Sequence, residues 1–229
     1  MNAAPAAGGF GAGFRAMVPL WIGVVPFGAA YAVSARAAGI DLLHTQLMSL
    51  FVFAGGAQFA AVGLIAAGAG PWTLISTTFL LNLRHLLYGV VVAATTELRG
   101  GRRLLAAHLL TDEAFGVHAA HGRGRPAFLI GAGLSLFVVW NAATLTGSLL
   151  ARSLPEPQAI GLDIVFPLAF LALLVPLVRE RRTLAVAGIA GIGAWGLAGV
   201  LEPGAALLIA TALAAGIGAA LPAGSREAP

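Results

Sequence analysis

The chain has 229 residues, of which 59% are hydrophobic and 10% charged, where soluble domains carry about a quarter charged residues. A globular protein of this length cannot hide so much apolar surface, so a soluble domain is excluded and lipid is the expected solvent. The net charge of +4 comes from 13 arginines without a lysine. They lie between apolar runs rather than along one face, which argues for topology and against nucleic-acid binding, and the lack of cysteine excludes disulfides and thiolate chemistry.

Residues Met1–Gly13 are Ala/Gly-rich and uncharged, and read as a disordered N-terminal tail. The tail lacks the charged start of a signal peptide and the following apolar run is too long for one, so that run is expected to stay as the first span. A hydrocarbon core of about 30 Å needs about 20 apolar residues in helix. Seven segments qualify: Phe14–Ala35, Thr45–Ala69, Trp72–Thr96, Ala127–Leu150, Ile160–Val178, Leu184–Leu201 and Ala205–Leu221. The alternation of a barrel strand is missing. The expected fold is therefore an all-α polytopic membrane protein of about seven transmembrane helices, forming one domain over 14–221 with a C-terminal tail over 222–229. Seven crossings collect most loop arginines on one side, Arg36, Arg99, Arg102 and Arg103 among them, against Arg15 and Arg152 on the other. The positive-inside rule then puts the first group in the cytoplasm and the N-terminus outside.

The second span contains Ala54-Gly55-Gly56-Ala57-Gln58. Each glycine weakens a helix by up to ~1 kcal/mol relative to alanine, and Gln58 brings an amide to membrane depth. One reading is a broken helix whose freed N-terminus faces a solute carboxylate; the other is a tight contact between helices through small residues. The third span carries Asn82-Leu83-Arg84-His85-Leu86-Leu87-Tyr88-Gly89. Arg84 lies near its middle, where an arginine costs ~2.5–3.5 kcal/mol and requires a partner or a water-filled cavity. Asn82 and His85 share one helix face, Arg84 and Tyr88 the next. This polar stripe could bind a carboxylate, relay a proton through His85, gate a path, or form a structural ion pair with Asp112 or Glu113.

Between the third and fourth spans, Leu104–His121 is too short and too polar to cross, and reads as an interfacial or re-entrant helix of four or five turns. Its Thr111-Asp112-Glu113 is either a solvated helix end or a partner for Arg84. In the fourth span, Asn141 and Thr144 share a face and suit an interhelical hydrogen bond. Asp163 reads as a helix cap of the fifth span, and Pro167 and Pro176 as kinks within it. The textures of Leu50–Ile65 and Asp163–Val178 are alike, so spans one to three and four to six could form a 3+3 inverted repeat with one helix appended; chance likeness of apolar helices is the other reading. The five histidines form no metal motif, and no nucleotide fingerprint, phosphate loop or nucleophile elbow is present. No cofactor or catalytic group is expected, and the chain reads as a transporter rather than an enzyme.

The ordered set AGGAQFAAVGLIAAG, NLRHLLYG and HLLTDEAFG, followed by GLDIVFPLAFLALLVP, resembles the AzlC family, the large permease subunit of a bacterial branched-chain amino-acid exporter. The resemblance runs from about Phe14 to at least Val178. It implies a multi-pass inner-membrane exporter of branched-chain amino acids and a small hydrophobic membrane partner of the AzlD type. Its motif residues fall on Gly55, Gly56, Gln58, Asn82, Arg84, His85, Tyr88, Gly89, Thr111, Asp112 and Glu113. The candidates for substrate binding or gating are thus Gly55, Gly56, Gln58, Asn82, Arg84, His85, Tyr88, Asp112 and Glu113, with apolar side chains of the solute against Phe27, Phe53 or Phe59. Transport would be proton-coupled or facilitated. A channel or permease for another small solute, and a scaffold that only supports its partner, are the competing readings.

Overall fold

The computed structural model describes residues 9–122, 124–152, 171, 178, 180–201 and 203–220. The expected fifth span, with Asp163, Pro167, Pro176 and the second half of the proposed repeat, lies outside the described residues. Among those described, every regular element is a helix, and the protein is an all-α membrane protein. Three helical stretches are long and apolar enough to cross a bilayer: Phe10–Ala37, Pro71–Thr95 and Pro126–Ala151.

The first stretch comprises α1 (Phe10–Ala16), a 3-10 turn over Val18–Leu20 and α2 (Trp21–Ala37). Helix thus begins at Phe10, inside the stretch expected to be a disordered tail. Gly39, with φ 79°, closes α2 in the left-handed conformation that a side chain would resist. Asp41 then caps α3 (Leu42–Phe51), accepting from the backbone N–H of His44 at 2.8 Å.

The expected second span is not one helix. After α3 the chain breaks at Val52–Ala54 and restarts as α4 (Gly55–Ala66). The helix is broken, and Gly55 also lies under another helix, the close contact that the second sequence reading expected. Phe53 carries the break at φ 40°, a left-handed conformation costly for an aromatic residue. Its ring is 5% exposed and packs on Phe137 with ring centroids 5.0 Å apart, which holds the strained backbone in place.

α5 (Pro71–Thr95) is the long third span, and its Trp72, Phe79, Leu86 and Leu87 are exposed as lipid-facing residues should be. The expected single helix over Leu104–His121 is also broken. It forms α6 (Gly100–His108) and α7 (Asp112–Val117), followed by a π turn over His118–Gly122. The reason is local: the Thr111 hydroxyl accepts from the Ala114 N–H at 3.3 Å, and Asp112 and Glu113 occupy the first turn, where acidic groups favour a helix start over a helix interior. His108 and Asp112 therefore lie on two different helices.

α8 (Pro126–Arg152) is the central post, against which α1, α2 and α3 pack. A Cβ on Gly13 would lie 2.0 Å from the Phe128 carbonyl oxygen and one on Gly131 2.1 Å from that of Phe10, so α1 and α8 touch backbone to backbone. Gly147 against Ala29 repeats the device between α8 and α2. Polar ties accompany it: Gln46 Nε2 donates to Asn141 Oδ1 at 3.1 Å, and Ser49 Oγ to Thr144 Oγ1 at 3.3 Å. These are the interhelical bonds expected of Asn141 and Thr144. Further along, α9 (Arg181–Leu197) and α10 (Pro203–Ala220) pack on each other through Gly193 beside Ala210 and Gly218 beside Val186.

Candidate functional site

The two broken elements meet. The Phe53 ring at the α3–α4 break stands 6.3 Å from that of His108, at the end of α6, and both rings pack on Phe137 of α8. On the far side of the break, α4 starts without a side-chain cap at Ala54. Its first backbone N–H groups thus lack the side-chain partner that usually satisfies them, and they add the positive end of the helix dipole.

Arg84, near the middle of α5, reaches this point. Its Nη2 lies 3.3 Å from where a Gly56 Cβ would sit, so any residue larger than glycine there would press on the guanidinium. Its Nη1 pairs with Asp112 Oδ2 at 2.9 Å. Of the two sequence readings of Thr111-Asp112-Glu113, Asp112 thus takes both roles, first-turn acid and partner of Arg84. Glu113 is exposed and stands outside the pair. The pairing brings the start of α7 beside the middle of the third span.

The ion pair is half satisfied. Arg84 Nε and Asp112 Oδ1 are both closed off from solvent and both lack a hydrogen-bond partner. Gln58 is fully buried, with its amide beside the Tyr31 hydroxyl. Buried polar atoms are paired in the large majority of cases, so the unpartnered edges of Arg84 and Asp112 make this pair a candidate site.

The remaining candidates split. Tyr88 stacks on Phe115 of α7 with centroids 4.5 Å apart, joining α5 to that helix. His85 stands edge-on to Tyr88 at 5.8 Å, and its Nδ1 lies 3.3 Å from the Asn82 carbonyl oxygen. Asn82 keeps a buried, unpartnered Oδ1. Gly55 faces Trp140: a Cβ there would come within 3.1 Å of Cη2. Trp140 stacks on Tyr31, and Phe27 packs on Phe59 at 4.8 Å, forming an apolar wall on that side. Trp140 and Phe137 are not among the residues the sequence points to, because contacts between helices this far apart in the chain leave no local signal. A separate cavity of ≈ 120 Å³, lined by Arg36, Asp41 and Ser148 among others, opens at the other end of α3 from the break.

Residues 19–154 match the family of the AzlC protein. The chain belongs to the AzlC family. That stretch contains both breaks, Arg84, Asp112 and Trp140. A membrane protein of Archaeoglobus fulgidus is 31% identical over 72% of this chain and 74% of its own length. The inner membrane protein YgaZ of Escherichia coli is 28% identical over 86% of this chain and 83% of its own. The branched-chain amino acid transport protein AzlC of Bacillus subtilis is 24% identical over 72% and 66%. No solved structure matches the chain.

Proposed function

We propose that this AzlC-family protein is a membrane permease that exports branched-chain or similar apolar amino acids. It works by secondary transport, together with a small hydrophobic membrane subunit of the AzlD type. The observation that carries the reading is the uncapped start of α4 at Gly55–Gly56, set against Arg84 at mid-span. Secondary transporters place broken helices at their solute sites, because a half-helix start binds a carboxylate without a further charge. The Bacillus subtilis relative, named for branched-chain amino acid transport, supports the class of solute. The apolar wall of Phe27, Phe59 and Trp140 beside Gly55 supports a branched side chain.

Arg84→Ala is expected to abolish leucine efflux from loaded proteoliposomes while the protein remains in the membrane at wild-type amounts. Wild-type efflux by that variant would overturn the assignment. Flux that neither saturates nor responds to competing leucine would instead favour a channel or a permease for another solute. No flux with the partner present would favour a scaffold.

A further inference from the structure

The Arg84–Asp112 pair uses one edge of each partner and leaves the other edge unfilled. Asp112 Oδ2 takes Nη1 of Arg84 at 2.9 Å. The opposite edge of the guanidinium carries Nε and Nη2, whose N–H bonds run parallel and match the two oxygens of a carboxylate. Nε has no partner, and Nη2 lies at Gly56, beside the uncapped start of α4. Asp112 Oδ1 likewise has no partner. A free donor fork and a free acceptor, fixed side by side by the salt bridge, have the polarity of a zwitterion read in reverse.

We propose that Arg84 and Asp112 form the receptor for an α-amino-acid head group, with the solute carboxylate on the Nε/Nη2 edge of Arg84 at the α4 start and the ammonium on Oδ1 of Asp112. The inference rests on the amino-acid transport reading above and specifies the chemistry that reading leaves open. Both atoms are closed off in this conformation, so the breaks at Phe53 and Leu109–Thr111 must part to admit the head group. Specificity for the free amino acid over carboxylic acids or amines of the same skeleton then comes from the pair, and the apolar wall contributes only to the choice of side chain.

The test is binding of L-leucine, 4-methylpentanoate (the same skeleton without the amine) and 3-methylbutylamine (without the carboxylate) to the full chain in lipid nanodiscs. The wild type is expected to prefer leucine to either analogue by about tenfold or more, the scale of one charge-assisted hydrogen bond. Asp112→Asn should weaken leucine while leaving 4-methylpentanoate unchanged or tighter, so the preference disappears. Asp112→Ser should do the same and serves if the first variant does not fold. Arg84→Gln should lose 4-methylpentanoate and retain the amine. A leucine preference that survives both Asp112 variants, or an equal loss of leucine and 4-methylpentanoate, would overturn the assignment, as would the absence of leucine binding. Arg84-dependent leucine efflux alongside any of those results would leave the export reading standing; absence of both binding and efflux would remove the two together.

Discussion

Two residues at the heart of this protein carry costs that their surroundings explain. Arg84 at mid-span is costly alone, and its partner is Asp112 at the start of the short helix α7. Phe53 accepts a left-handed backbone because its ring is held between His108 and Phe137. A third residue, His118, links the π turn to the end of the third span through Nε2 and Thr96 Oγ1 at 3.0 Å, and is 2% exposed. Burial holds its imidazole below the ordinary value of 6.5. The neutral ring therefore favours the folded state. The stability it confers is complete above about pH 6.5 and is lost as pH falls from there toward the lower folded value, below which the loss levels off. The melting temperature in detergent is expected to drop between pH 7 and pH 5, above the ordinary carboxylate range. His118→Gln should flatten that slope, and an unchanged slope in the variant would place the pH sensitivity elsewhere. The polar residues of the site were legible one by one, because an arginine, a glutamine and a glycine pair stand out in apolar sequence. Trp140 and Phe137 were not, because an aromatic residue in a membrane helix looks the same whether it faces lipid or a broken helix.

At the scale of elements, the two breaks have different origins. The α3–α4 break follows from weak helix formers at Gly55–Gly56 and could be anticipated. The Leu109–Thr111 break follows from an N-cap signature, threonine followed by two acidic residues, which competes with continuing the helix. That signature is present in the sequence, but the overall apolar run around it favoured a single helix. The packing of α1 on α8 could not be read at all, since 31 glycines offer no means of choosing the pair that touches. Gly131→Ala is expected to force Phe10 away and cost about 1–3 kcal/mol, as overpacking does. Gly23→Ala, inside α2 where nothing lies within 4 Å, should be neutral or stabilising by up to ~1 kcal/mol. Thermal unfolding of the two variants in the same detergent checks the contrast, and equal stability would mean that α1 does not seat on α8 through these glycines.

For the whole molecule, the central question is how the described helices are arranged across the bilayer. α3 and α4 together replace one continuous span. We expect α6 and α7 to enter toward the level of Arg84 and return, because Asp112 pairs with Arg84 of α5 while α8 begins only a few residues after the π turn. Both ends of this segment are then expected on one side of the membrane, the side that collects Arg99, Arg102 and Arg103, which the positive-inside rule makes cytoplasmic. The chain contains no cysteine, so single cysteines report topology without background. In right-side-out vesicles, Gly70→Cys is expected to react with an impermeant maleimide directly. Ala38→Cys, Gly101→Cys and Pro126→Cys should react only after permeabilisation. Labelling of Gly101→Cys and Pro126→Cys from opposite sides would turn the re-entrant segment into a crossing and invert every helix after it. Labelling of all four sites with the reverse sidedness would keep the architecture and reverse only the orientation, which separates the packing argument from the charge argument.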